Sequence, residues 1–345
     1  MNRFRVFVCV APIGLLIQIC LLLCPAFADS PHYKYFRSGN STDVQTKTQA
    51  GFALMGGGKD LDQAFKWMCE RAGGGDFLVL RATGDDAYNP YIQELCHVNS
   101  VATLVIPDRA AASDPFVAAV IRKASAIFIA GGDQANYINF WMGTPVQQAL
   151  NEAIARKIPI GGTSAGLAVQ GEFVYSAQGD LPDGPDLSSP ETLSNPLNPR
   201  VTIVHAFLDN ALLRDVITDT HFSARDRMGR TLVFMARILQ DGRAHRIRDI
   251  AVDQRTGVLL EPDGIATVVG AGAAYFLAAT QPPETCKANI PLTFRGVTVH
   301  SLHAGEQFDV RQWSSSAGIS YTLSVQSGTI HSTSPSGSAY TSIVK

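Results

Sequence analysis

Between Gly51 and Gly162 the chain repeats one unit: a short apolar run, a glycine-rich or polar break, then a segment with helical periodicity. The apolar runs are "GFALMGGG", "DFLVLRATG", "VATLVIP", "AIFIAGGDQ" and "IPIGG". Between them lie "LDQAFKWMCERA", residues 86–97, "DPFVAAVIRKA" with Asp114 and Pro115 at its start, and an amphipathic stretch to about Arg156. Runs this uniformly apolar predict strands buried on both faces. Strand–helix alternation then predicts an α/β fold, a doubly wound, mostly parallel sheet with helices on both faces. Ligands bind such sheets beyond the carboxyl ends of the strands. Three runs end there in glycines, Gly56–Gly58, Gly131–Gly132 and Gly161–Gly162, so the turns converge on one edge.

The rest of the chain divides around this core. Residues 1–28 read as a secretory signal peptide: a basic "MNRFR", a long apolar run, and small residues at Ala26 and Ala28. Cleavage near Ala28 places the protein outside the cytoplasm, secreted or periplasmic, with no stable membrane anchor; an uncleaved anchor is the alternative. Residues 29–50 read as a loose polar leader, 51–284 as the α/β domain and 285–345 as a small β-rich appendage. "AQGDLPDGPDLSSPETLSNPLNPR" (177–200) is a long excursion of the kind that carries function or mobility. Strands return with "VTIVHAFL" and "LRDVITDTHF", a helix is predicted over 226–242, and the two apolar runs between Ile250 and Ala279 read as a hairpin. A net charge of −2 without a basic stripe excludes nucleic acid as a natural partner. Cys69, Cys96 and Cys286 remain after cleavage, allow at most one internal disulfide and lack metal-ligand spacing. Cys69 and Cys96 read as small buried side chains.

Gly162-Thr163-Ser164-Ala165-Gly166 fits G-x-S-x-G between a strand and a helix. Such a serine sits in a strained turn, and glycines flank it because side chains there would collide. Ser164 is therefore a candidate nucleophile, with a capping serine in a tight turn as the plainer reading. The N–H groups of Ala165 and Gly132 are candidates for an oxyanion hole. His221, in "DTHFSARDRMGR" at the end of an apolar run, is the candidate base, and Arg225, Arg227 and Arg230 beside it suit a substrate bearing carboxylates. The acid is less decided, since Asp180, Asp183, Asp186, Glu191 and Glu172 all lie between serine and histidine in the sequence. "AGGDQ" offers Gln134 to substrate; no Lys-Ser/Thr pair follows its glycines, which argues against a phosphate loop.

Together "GGTSAG", "AGGDQ" and "DTHFSARDRMGR" resemble cyanophycinase and its relatives, serine peptidases that include aspartyl dipeptidase. The resemblance spans roughly residues 51–280. It implies a fold like that of class I glutamine amidotransferases, with serine as nucleophile and no cofactor or metal. It implies Ser164 as nucleophile, His221 as base, and Gln134, Asp219, Thr220, Arg225, Arg227 and Arg230 as substrate-binding positions. For the acid it favours Glu191, with Asp180 second. The chain departs from the pattern in its longer serine–histidine separation and in Thr220, where cyanophycinase commonly has glutamine. The substrate it implies is an Asp-containing peptide or a cyanophycin-like polymer with β-Asp-Arg units. A homodimer is left open. A G-x-S-x-G esterase and a catalytically silent polymer- or cell-wall-binding protein are the competing readings.

Overall fold

The computed structural model describes residues 31–181 and 184–342. The signal peptide read over 1–28 and the candidate acid Asp183 lie outside the described residues. The chain opens with β1 (Lys34–Gly39) and β2 (Phe52–Met55), then α1 (Asp62–Arg71), β3 (Asp76–Arg81), α2 (Tyr88–Leu95) and β4 (Ser100–Val105). Next come α3 (Arg109–Ala112), α4 (Pro115–Lys123), β5 (Ala126–Ile129), α5 (Gln134–Trp141), α6 (Pro145–Ala155), β6 (Ile160–Thr163), α7 (Ala165–Ala168) and β7 (Phe173–Tyr175). The excursion holds α8 (Ser189–Ser194) and leads to β8 (Ile203–His205), β9 (Val216–Asp219) and α9 (Met228–Gln240). The remainder is β: β10 (Ile247–Val252), β11 (Thr256–Leu260), β12 (Ile265–Gly270), β13 (Ala273–Ala279), β14 (Thr285–Lys287), β15 (Ile290–His303), β16 (Gln307–Asp309), β17 (Ile319–Gln326) and β18 (Thr329–Ser332). Helix starts follow from their caps: the side chains of Asp114 and Thr144 accept from the N–H groups of Phe116 and Val146, just past Pro115 and Pro145, which open α4 and α6.

The first sheet runs β1-β4-β3-β5-β6-β2-β11-β12-β16. Its centre, β4-β3-β5-β6-β2, is parallel throughout. Alternate residues of those strands feed two separate cores. Leu78, Leu80, Ile127 and Ile129 pack with α4 and α6 on one face; Phe77, Val79 and Phe128 pack with α1 and α2 on the other. This is the doubly wound, both-faces-covered α/β arrangement the continuous apolar runs imply.

Most of the strands after α7 build a second sheet, β18-β17-β15-β13-β10-β9-β7-β8, parallel only at β7-β9-β10. It buries its own core against α9. The two apolar runs read as one hairpin each break in two. β11 and β12 form a hairpin in the first sheet, and β10 and β13 pair in the second, so this segment stitches the sheets together. Residues 285–345 are β-rich as read, and they continue both sheets: β15 pairs with β13, and β16 with β12. From His32 onward the described residues form one compact unit.

One expectation is corrected and one is made definite. The leader read as loose over 29–50 contains β1, antiparallel to β4, and Asp76 accepts hydrogen bonds from Val44 N (2.9 Å) and Arg37 (3.2 Å). An edge strand needs only one apolar side, so "KYFRSG" carries too weak a pattern to be read as one. Cys69 and Cys96, read as small buried side chains in a chain allowing at most one internal disulfide, are buried and form that bridge, which joins α1 to the end of α2; Cys286 is buried and free. A bridge across 27 residues removes about 3 kcal/mol of chain entropy from the unfolded state. A Cys69→Ser/Cys96→Ser variant should therefore lose about 3 kcal/mol in urea unfolding, and an unchanged midpoint would show that the bridge contributes nothing.

Candidate functional site

β6 delivers Ser164 to the carboxyl edge of the first sheet, and α7 starts one residue later. Ser164 sits at φ 51° and ψ −118°, a conformation that costs an L-residue about 1–3 kcal/mol. Gly166 is required behind it, because a Cβ there would overlap the Ile129 carbonyl oxygen. The Ser164 hydroxyl does not cap α7. Its Oγ lies 2.7 Å from Nε2 of His221. That contact sets the strained serine apart from a capping serine.

Three successive carbonyls at the end of β2 hold the site in register. Met55 O accepts from Ser164 N (3.0 Å), Gly56 O from His221 N (2.8 Å) and Gly57 O from Arg255 N (2.8 Å). Gly57, at φ 93°, has no side chain because the His221 ring occupies the place a Cβ would take.

His221 follows β9, is 6% exposed and has its basicity pushed down to about 3. Burial is the main cause, and Arg225 and Arg227 add to it; Asp219 and Asp186 act in the opposite sense. The ring nitrogen facing away from Ser164, Nδ1, lies 2.8 Å from Nε2 of Gln254.

The acid favoured for that place is corrected. Glu191 occupies a capping box, where its carboxylate accepts from Ser188 N (3.1 Å) and Ser188 Oγ (2.8 Å) and also binds Arg200 (3.0 Å). Asp180 accepts from Tyr175 (2.8 Å) and Arg200 Nε (2.6 Å). Glu172 binds His205 (3.2 Å) and Asp215 N (2.6 Å). These three carboxylates are committed to partners other than His221. Position along the chain between serine and histidine does not translate into position in space, because the excursion folds back on itself around Arg200. Gln254 escaped sequence reasoning: it lies 33 residues after His221 and reaches it only because β10 pairs with β9.

A cavity of about 610 Å³ opens at Ser164, lined among others by Gly132, Gln134, Asp180, Thr220, Arg225 and Arg227. Gln134 is the first residue of α5, and Ala165 the first of α7. The arginines serve different ends. Arg230 also reaches the cavity but is itself buried, and its guanidinium grips Asp219 with both Nε (2.8 Å) and Nη2. Asp219, read as a substrate contact, is 2% exposed and also accepts from Thr231 (3.0 Å) and Thr220 N (2.7 Å), so its place is beneath the cavity as the anchor of Arg230. Arg227 donates to Thr220 O (2.9 Å) and Oγ1 (3.0 Å), which makes Thr220 its rest. Arg225 (2.8 Å) and Arg227 (2.5 Å) share the carboxylate of Asp186, whose side chain is 52% exposed. Burial opposes ionisation of Asp186, but the two guanidiniums outweigh it and hold the carboxyl at about 2. A carboxylate supplied by the chain's own excursion thus lies where the arginine pair meets the cavity.

Residues 78–215 match the model of Peptidase family S51. The cyanophycinases of Trichormus variabilis and of a Nostoc species are each 30% identical over 218 residues, covering 61% of this chain and 66% of theirs. The alignment thus spans just under two thirds of those relatives. The cyanophycinase of Synechococcus elongatus is 27% identical over 262 residues, covering 72% of this chain and 74% of its own. Among solved structures, a peptidase from an acI-B1 Actinobacterium superposes with a TM-score of 0.47 at 18% identity, covering 77% of this chain and 98% of that one. A putative peptidase E protein from Listeria monocytogenes gives 0.40 at 14%, covering 65% and 100%.

The Asp219–Arg230 pair makes a stability prediction. Burial alone would raise the Asp219 carboxyl, but Arg230 overrides it and holds the group below its ordinary value. A depressed carboxyl stabilises the fold above the unfolded-state value of about 3.9, and that contribution disappears as pH falls through the folded value. Asp219→Asn leaves Arg230 buried without its counter-charge and should cost about 3–5 kcal/mol at neutral pH. Urea midpoints should converge for the two proteins as the pH is lowered below about 3.9; parallel curves would contradict this assignment.

Proposed function

We propose that the chain, which matches the model of Peptidase family S51 over residues 78–215, is a secreted serine peptidase of that family that cleaves Asp-containing peptide bonds, β-Asp-Arg or isoaspartyl linkages included, through an acyl-enzyme on Ser164. The observation that carries this reading is the 2.7 Å contact between Ser164 Oγ and His221 Nε2 at the mouth of an arginine-lined cavity.

His221 Nε2 takes the Ser164 hydroxyl proton as Oγ bonds to the scissile carbonyl carbon. The oxyanion that forms would be met by the N–H groups of Gly132 and Ala165, on the two turns that flank Ser164. His221 then passes its proton to the leaving nitrogen, and the C–N bond breaks. Water attacks the ester, its proton goes to His221, and Oγ leaves with that proton returned. Arg225 and Arg227 would bind a substrate carboxylate in place of Asp186, which is the support for an acidic substrate. The relatives named cyanophycinase support the β-Asp-Arg class and a peptide or polymer partner. Export is supported by the Cys69–Cys96 bridge, since disulfides persist in oxidising compartments.

Three outcomes test the proposal. Mature protein should release Asp-containing peptides from cyanophycin or β-Asp-Arg peptides, and Ser164→Ala should lower kcat/KM by about 10³-fold or more; turnover confined to p-nitrophenyl esters would overturn it. His221 acts unprotonated, so kcat/KM should hold its neutral value well below pH 6 and fall only as pH approaches about 3. Asp186→Asn should lower KM for acidic peptides by up to about fivefold, the worth of an exposed ion pair. Separately, sequencing of exported protein should begin at Asp29, and a retained Met1 would refute signal cleavage.

A further inference from the structure

We propose that Gln254 is the third member of the Ser164–His221 relay, a positioning residue whose carboxamide selects which imidazole nitrogen carries the proton and whose lack of charge sets the pace of the reaction. The proposal rests on the peptidase reading for its kinetic part and on geometry alone for its structural part.

Gln254 is held from both sides. Before it, Asp253 is fully buried, with its carboxylate accepting from Ser223 N (2.8 Å), Ala273 N (3.1 Å) and Ser342 Oγ (3.2 Å). The neighbouring acid is thereby committed away from His221. After it, the Arg255 N–H is bound to Gly57 O (2.8 Å). The half-buried Gln254 amide is left facing Nδ1, with its NH2 nitrogen at 2.8 Å.

A carboxamide can meet that nitrogen in two ways, related by a half-turn about its last bond. With its oxygen toward the ring it accepts from Nδ1–H, and the Nε2 lone pair is free to take the Ser164 proton. With its NH2 toward the ring it donates to Nδ1, the proton sits on Nε2, and Ser164 has no base. A carboxylate can only accept, so it would select the productive tautomer and stabilise the imidazolium as it forms. In this chain that stabilisation is absent at Nδ1. Of the other charged groups acting on the ring, Arg225 and Arg227 disfavour the imidazolium, and Asp219 and Asp186 favour it. The Gly56–Gly58 turn presents backbone to the ring, and Ser164 is neutral. In the structure the NH2 nitrogen faces Nδ1, so the half-turn that brings the oxygen there has to precede proton transfer, and the base it then makes is correctly placed and weak.

The test compares mature wild type with Gln254→Glu and Gln254→Ala. Two readouts are taken: the pH profile of kcat/KM on a β-Asp-Arg peptide, and the tautomer and titration of His221 by 15N NMR. Gln254→Glu should raise kcat/KM at least about tenfold, within the roughly 10⁴-fold that separates a carboxylate from an amide at this place in a serine protease. It should also shift the acid limb and the His221 titration to higher pH and fix the proton on Nδ1. Gln254→Ala should lower kcat with little change in KM and leave the tautomer unselected. If wild type cleaves the peptide but His221's tautomer, titration and pH profile are the same in all three proteins, Gln254 has no positioning role and the peptidase reading stands. If no protein cleaves any peptide, the NMR decides alone: a shifted His221 upholds the positioning role while the peptidase reading falls, and an unshifted one removes both.

Discussion

Everything chemical in this molecule hangs from three adjacent carbonyl groups. Met55, Gly56 and Gly57 accept in turn from the backbones of Ser164, His221 and Arg255, at 2.8–3.0 Å. The three donors come from the end of β6, the end of β9 and the turn after β10, elements that belong to two different sheets. One short stretch of backbone at the end of β2 thus sets the spacing of Ser164, His221 and the segment that carries Gln254. Its glycines are required there, since a side chain at Gly56 would strike the Asp253 carbonyl and one at Gly57 would strike the imidazole. The site is accordingly a property of the join between sheets, and Ser164 can be kept at a strained φ because the hydrogen bond from its own N–H is part of that join.

How much of this was legible depends on how local each cause is. The parallel centre was readable because both-faces burial writes itself as unbroken apolar runs such as "DFLVLR" and "AIFI". Ser164 and His221 were readable because their turns need glycines and arginines within a few residues. Gln254 was not, since nothing around it in "AVDQRTG" announces that β10 will lie beside β9. Glu191 was misread although a local signal existed: Ser188-Ser189-Pro190-Glu191 has the spacing of a capping box with proline in the first turn. The second sheet escaped for a third reason. Its strands are joined by antiparallel returns that cross between sheets, and alternation of apolar runs carries no record of which sheet receives each one.

The arginines form layers. Arg230 is spent on Asp219 and stacks near Tyr175 and Phe234, so it acts as floor. Close to this pair Asp249 is fully buried, with neither oxygen hydrogen-bonded among the described residues; burial first and Asp219 second push its carboxyl well above the ordinary range. Arg227 rests on Thr220 and reaches upward, and Arg225 completes the pair. The buried layer gives the upper one a fixed geometry, at a cost in charge burial that the bidentate Asp219 contact offsets.

Asp186 gives that upper layer an unusual counter-ion. An acidic ligand arriving at Arg225 and Arg227 would exchange one carboxylate for another, and the released one belongs to the same chain. The number of ion pairs is then conserved, and so, nearly, is the number of small ions shed into solution. Ligand affinity should therefore depend on salt far less than three clustered arginines suggest. What the cavity would discriminate is shape and reach, because any carboxylate too short to better Asp186's grip gains nothing from the charge.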